Sequence, residues 1–298
     1  MEQVSLKALL EAGCHFGHKA DRWHPKALTF IYQKREGIHI IDLAKTKSGL
    51  EAAAGFIKNE AAAGRTVLFI GTKRQASAIL KEEAEKAGAA YMNKRWVGGF
   101  LTNWETVHKN LEKIRRLKDE ERNDLWKKYP KHERVKLGRY VRKLEQFYGG
   151  VLALNELPSS IFVVDIKREE VAVNEAVKMG IPIVAVVDTN TDPTPVNWQI
   201  PANDDAVGSI KFIVTYIGQA YHEGKDQFDK EQASEAAKVK ASASVAEKVT
   251  EVNQEKPKAE MTEKVAEKKQ AEIKLAAKPV ETKPELKLKK RGRPKKVK

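Results

Sequence analysis

Three histidines stand close together in HFGHKADRWHPK, residues 15–26, with Trp23, Lys19 and Arg22 among them. Imidazole nitrogens are common metal ligands, and His15 and His18 at i,i+3 offer two on one side of a turn. Cys14, or the carboxylates Asp188, Asp204 and Asp205, would supply more; His15, His18, Asp188 and Asp204 form the candidate metal set. No CxxC or HExxH accompanies them. The sequence therefore favours the other reading, in which the histidines hydrogen-bond and fix a loop, and no cofactor is required. FIGTKRQ, residues 69–75, places Lys73 and Arg74 at a strand end before a helix, where turn amides and cations bind phosphates. An ordinary strand–helix connection explains it equally well, because both GxGxxG and GxxxxGK[ST] are missing. For catalysis there is no GxSxG, and the one cysteine lacks a base and an orienting partner. The acids of DTNTDP, residues 188–193, build turns unaided. RGRP, residues 291–294, has the form of an AT-hook, but a generic phosphate-binding basic end reads as well and makes DNA an unlikely partner.

These residues need elements to hold them. LTFIY and IHIID flank QKREG, a hairpin signal over residues 28–42. LAKTKSGLEAAAGFIKNEAAAG reads as a helix ending at Gly64. TVLFI, IFVVD and IVAVVD are short β-branched runs, and RQASAILKEEAEKAG and REEVAVNEAVKM are helical stretches among them. Continuous apolar strands separated by helices predict a buried parallel sheet, an α/β doubly wound fold. DAVGSIKFIVTYIGQAYHEG closes this pattern with a helix near residues 205–223.

An insertion interrupts the pattern. In WETVHKNLEKIRRL and LGRYVRKLEQFY, apolar residues recur at spacings of three and four, with Tyr129-Pro130-Lys131 between them. That predicts an antiparallel coiled-coil αα-hairpin over residues 103–149, whose first arm would reach roughly 35 Å at 1.5 Å per residue. Its charged outer face is either solvated or touches RNA. RWVGGFLTNW, residues 95–104, leads into it. Gly98 and Gly99 are expected to let the backbone turn and approach a neighbour, while Trp96, Phe100 and Trp104 pack the base of the arm.

Composition bounds the rest. The 298 residues carry a formal charge of +14, of which +9 comes from residues 230–298, with 20 Lys/Arg against 11 Asp/Glu. Such a balance suits nucleic acid or an anionic membrane surface. One cysteine excludes an internal disulfide and fits a reducing compartment. No signal core, transit pattern or membrane-length apolar run is visible, so a soluble, cytoplasmic protein without a membrane partner is expected. The segment 229–298 is Ala/Glu/Lys/Pro with no aromatic residue, and disorder is expected there. The predicted organisation is an α/β core over residues 1–228, interrupted by 103–149, and a tail over 229–298.

In chain order, LLEAGCHFGH, WHPK, IYQKREGIHIIDL, LFIGTKRQA, NKRWVGGFLTNW, LPSSIFVVD, GIPIVAVVDTNTDP and IPANDDA closely resemble the bacterial small-subunit ribosomal protein S-two family. The resemblance covers nearly all of residues 1–224. It implies a flavodoxin-like core with a protruding coiled-coil hairpin, binding to small-subunit ribosomal RNA between head and body, and help in docking the mRNA-binding ribosomal protein S-one. It implies no enzymatic activity, and the hairpin implies a bacterial or organellar ribosome, of which the missing transit pattern favours the bacterial one. Asp192-Pro193-Thr194-Pro195, Asn197 and Ala202 depart from the family pattern and remove carboxylates near any shared cation site. The candidate RNA contacts are Lys19, Arg22, Lys34, Arg35, Lys73, Arg74, Lys94, Arg95, Arg115 and Arg116. The alternative is a nucleotide- or sugar-phosphate-binding α/β protein, because the same fold hosts those functions; a third, weaker reading makes the tail a DNA-binding arm.

Overall fold

The computed structural model describes the backbone of residues 4–252 and the side chains of residues 4–234. The chain divides into two units, Met1–Ser234 and Glu235–Lys298. In the first, five short strands pair in parallel: β4 (Val67–Ile70), β5 (Ala90–Met92), β6 (Ser160–Val163), β7 (Ile183–Val187) and β8 (Trp198–Pro201). Their spatial order is β5-β4-β6-β7-β8. This is the 2-1-3-4-5 order of flavodoxin-like sheets, in which the order reverses between β4 and β6.

Every residue of β4, β6 and β7 is buried, as expected for strands covered on both faces. Successive side chains alternate between the two faces. Phe69, Phe162, Val184 and Ile200 join a cluster with Leu50 and Ile57 of α2 (Leu43–Ala62), Leu80 of α3 (Arg74–Ala87) and Ile213 and Ile217 of α7 (Val207–Val252). Leu68, Ile70, Ile161 and Ile183 join the opposite cluster with Val173 and Ala176 of α6 (Glu170–Met179). The doubly wound expectation therefore holds for the sheet.

A short helix α1 (Leu6–Glu11) leads into a second, antiparallel sheet ordered β1-β3-β2, from β1 (Phe16–Lys19), β2 (Ile31–Arg35) and β3 (Ile38–Ile41). Glu36 and Gly37, both at positive φ, make the two-residue turn between β2 and β3. The strand expected from residue 28 begins only at Ile31, because Pro25–Phe30 winds into a 3-10 helix with Pro25 at its start. Strands β1, β5 and β8 gave no signal in the sequence, being only three or four residues long.

Between β5 and β6 lie α4 (Trp104–Arg122), a 3-10 turn at Leu125–Lys128, and α5 (Lys131–Tyr148). Leu117, Trp126 and Val141 form their own small apolar cluster. The Lys118 ammonium meets the Glu145 carboxylate at 2.6 Å, and Arg115 reaches Leu152 further along the chain. Val107, Leu111 and Ile114 of α4 pack instead with the sheet cluster.

The closing helix departs from expectation. It runs Val207–Val252 rather than stopping near residue 223, and so continues into the stretch from residue 229 where disorder is expected. Extending a helix already fixed by packing avoids the nucleation cost, and its Ala/Glu/Lys composition has high helix propensity. The rest of the predicted tail, with RGRP at 291–294, lies outside the described residues. No helix among the described residues is long and apolar enough to cross a membrane.

Helix α2 approaches β8 so closely that a Cβ on Gly49 would collide with the Gln199 carbonyl oxygen and touch Pro201. Gly49→Ala is expected to cost about 1–3 kcal/mol by overpacking against backbone that cannot yield. Its melting temperature, compared with that of a control at Gly55, where a Cβ meets nothing within 4 Å, checks this.

Candidate nucleic-acid interface and strand-end cluster

Four strands of the parallel sheet deliver polar side chains to one edge. Lys73 follows β4, Asp165 follows β6, Asp188 follows β7, and Asp204 and Asp205 follow β8. The second sheet adds His18, held in place because its backbone N–H donates to Thr189 Oγ1 at 2.9 Å. The Lys73 Nζ lies 3.1 Å from Asp165, 2.8 Å from Asp204 and 2.6 Å from Asp205. Burial disfavours the ammonium, but its bonds to Asp204 and Asp205 and the nearby charges outweigh that and hold its pKa above the ordinary lysine range. Asp204 is pushed up to about 7 by burial and by the charges of Asp165 and Asp188, which Lys73 only partly offsets. The nearby Asp188 carboxylate raises the His18 pKa against burial. Lys73, one of the expected RNA contacts, is thus paired internally with three carboxylates.

His18, Asp188 and Asp204 each point one ligand atom within 4.8 Å of the others. His18 Nδ1 is 3.1 Å from Asp188 Oδ1 but is not aligned for a hydrogen bond, and it is a buried atom without a partner. One imidazole nitrogen and two carboxylate oxygens suit a divalent cation such as zinc. His15 is not in this group. Its ring packs on Phe16 at 3.9 Å between centroids, and its Nδ1 is buried without a partner. Spacing alone could not separate His15 from His18, since what selects His18 is the Thr189 contact far along the chain.

The other expected cations divide by geometry. Lys19, Arg22, Lys34, Arg35, Arg74, Lys94, Arg95 and Arg116 are exposed. Arg35 pairs with the exposed Glu36 at 3.8 Å, and Arg116 with the half-buried Glu120 at 3.6 Å. Arg115 is committed inward. Its Nε donates to the Leu152 carbonyl at 2.7 Å and its Nη2 to the Leu154 carbonyl at 2.6 Å. Lys167 and Arg168, just past β6, are exposed basic residues that the sequence reading passed over within IKREE. Among the acids of DTNTDP, Asp192 is tied to Lys26 at 2.7 Å and to Thr194, well below the ordinary carboxylate range.

The loop that carries Lys94 and Arg95 is built around one carboxylate of α6. Glu175 Oε1 accepts from the Trp96 indole at 3.0 Å and from Gly99 N at 2.7 Å. Its Oε2 accepts from Leu101 N at 3.0 Å and, more loosely, from the backbone and hydroxyl of Thr102. Gly99 is required by its φ of +84°, whereas a Cβ on Gly98 would meet nothing within 4 Å, so Gly98 makes no close approach. Trp96 and Phe100 are buried, and Trp104 is only partly so, meeting the Phe100 ring edge-on at 5.7 Å. No pattern near residue 95 points to Glu175, which is far away in sequence.

Phe100→Ala is therefore expected to lose about 3–5 kcal/mol in chemical denaturation and Trp104→Ala clearly less. For Glu175, burial alone would raise the carboxyl pKa, but the bonds from Trp96, Gly99, Leu101 and Thr102 bring it below the ordinary value. A lowered folded pKa means that the contribution is complete above about pH 4.5 and is lost as pH falls through the folded value. Glu175→Gln, which leaves one acceptor against donors that need two, should cost about 2–4 kcal/mol at neutral pH and flatten the acid limb of the stability profile.

A sequence model of the family described as ribosomal protein S2 matches residues 9–224. Among curated proteins, the chain is 49% identical over 226 residues to the small ribosomal subunit protein uS2 of Coprothermobacter proteolyticus, covering 76% of this chain and 84% of that one. The uS2 protein of Dictyoglomus thermophilum is 47% identical over 231 residues, covering 78% and 94%. That of Oenococcus oeni is 46% identical over 229 residues, covering 77% and 88%.

Proposed function

The chain belongs to the ribosomal protein S2 family, whose members are structural proteins rather than enzymes, and from that premise we propose how it serves the bacterial small ribosomal subunit in the cytoplasm. It binds small-subunit ribosomal RNA by electrostatics and shape, with exposed Lys and Arg side chains on rigid elements neutralising closely spaced phosphates. Helices α4 and α5 are read as a coiled-coil hairpin that extends this basic surface, and the chain helps to dock ribosomal protein S-one beside it. What supports the reading most is the division of its cations. Lys73 and Arg115 are consumed by internal bonds, while eight of the ten expected cations stay exposed, seven on the core and Arg116 on α4. The nucleotide-enzyme alternative loses its anchor, because the lysine of the strand-end turn faces three carboxylates and not an open phosphate site.

Reversing Lys19, Arg22, Lys34 and Arg35 together to Glu should remove the chain from small-subunit fractions in sucrose gradients, most completely at high salt. Subunits lacking the chain should also lose ribosomal protein S-one. Unchanged co-sedimentation of the variant would count against the reading.

The proposal includes a structural cation held by His18, Asp188 and Asp204. Zinc at about 100 times its Kd would then stabilise chelator-treated protein by about 2.7 kcal/mol through mass action. His18→Ala should abolish that thermal shift, and an equal shift in the variant would remove the cation from the account.

A further inference from the structure

The reversal of strand order between β4 and β6 marks the place where open α/β sheets receive ligands, outside the carboxyl ends of the strands. Beside Lys73 at that place, Thr72, Arg95, Gly98 and Arg168 line a cleft of about 440 Å³. That is within the ~300–1,000 Å³ span of small-ligand sites. Arg95 is exposed and makes no hydrogen bond or ion pair with any described residue. Arg168 is anchored at its base, its backbone N–H donating to Asp165 at 2.9 Å and its Nε to the Thr72 hydroxyl at 3.1 Å. Its two terminal amines have no partner among the described residues. The cleft's one acid, Glu169, is 3% exposed and commits Oε1 to the backbone N–H and hydroxyl of Thr72. The remaining wall is apolar or bare, with Val171 56% exposed, the edge of Trp96, and Gly98, where a Cβ would meet nothing within 4 Å.

Two guanidinium groups, one held by its neighbours and one free, suit the oxygens of a single phosphate, which Arg binds in bidentate fashion. A flat, open wall beside them suits a base. We propose that this cleft is a nucleotide-phosphate site, in which Arg95 and Arg168 clamp the phosphate of one unpaired RNA nucleotide and the base lies over Gly98 and Val171. This rests on the RNA-binding reading above and gives it a defined pocket. It also assigns a role to Arg168, which motif reading had not selected.

The test titrates the full-length chain with a short fluorescent single-stranded oligouridine, with and without AMP as competitor. Three variants run beside it: Arg95→Gln, Arg95→Gln/Arg168→Gln, and Lys178→Gln/Lys211→Gln, two exposed lysines outside the expected RNA contacts, as a control of equal charge. The cleft pair should weaken RNA binding about tenfold and lower the salt slope by about 0.7, because both guanidinium groups serve one phosphate of single-stranded RNA. AMP should compete in the parent chain and not in the cleft pair. Arg95→Gln breaks no internal bond, so a loss in that variant cannot come from misfolding. RNA binding that needs Arg95 and Arg168 but ignores AMP overturns the nucleotide pocket, leaving the two arginines as plain backbone contacts. AMP binding that needs the cleft pair, without any RNA binding, supports the site and sinks the RNA reading. A cleft pair that loses no more than the control pair, or a parent chain that binds neither ligand, overturns the site.

Discussion

A buried carboxylate without its donors is a heavy penalty, and a loop backbone without acceptors is another; Glu175 and the 96–102 loop cancel the two against each other. Five donors of that loop converge on the two oxygens of one side chain of α6. Desolvating a carboxylate is tolerable only when several hydrogen bonds replace its water. The same bonds define the path by which the chain leaves β5 and enters α4. Phe100 is thereby driven fully into the sheet cluster, and Arg95, one residue before the anchored Trp96, remains on the outside. The rigidity of the basic rim and the stability of the core thus have a common origin.

The strand ends follow a related logic with the opposite charge. Asp165, Asp188, Asp204 and Asp205 arrive from three different strands, and without a cation they would repel one another at short range. Lys73 supplies that cation, and His18 adds a second when protonated. Asp204 is pushed up to about 7, first by burial and then by the charges of Asp165 and Asp188, which Lys73 offsets only in part. An edge of this kind draws positive charge inward, which is why the lysine of the strand-end turn pairs with carboxylates. The guanidinium groups of Arg95 and Arg168 line the neighbouring cleft, whose one carboxylate, Glu169, accepts from Thr72 through Oε1. Two adjoining sites of opposite character therefore share one turn.

Much of this was legible in the residues themselves. Strands β4, β6 and β7, helices α2, α3 and α6, and the left-handed glycines Gly64, Gly88 and Gly180 that follow those helices all come from local patterns of apolarity and backbone freedom. Patterning extends only as far as neighbouring residues. It therefore missed β1, β5 and β8, whose pairing depends on partners elsewhere in the chain. It also placed the end of α7 too early, because low apolarity was read as disorder where helix propensity continues a packed helix.

The sequence by itself determined the α/β class, the positions of the glycine stops, the basic character of the surface and the family, since each is carried by residue type, periodicity or ordered motifs. Only the tertiary structure decided which cations are free. Lys73 and Arg115 look like Lys94 and Arg95 in a string of letters, yet the first pair meets carboxylates and carbonyls delivered by distant segments. The same holds for His18 over His15, for Glu175 as the anchor of the 96–102 loop, and for Arg168 beside Arg95. The reason is physical: a side chain's charge belongs to its residue, but its partners are set by folding across many tens of residues.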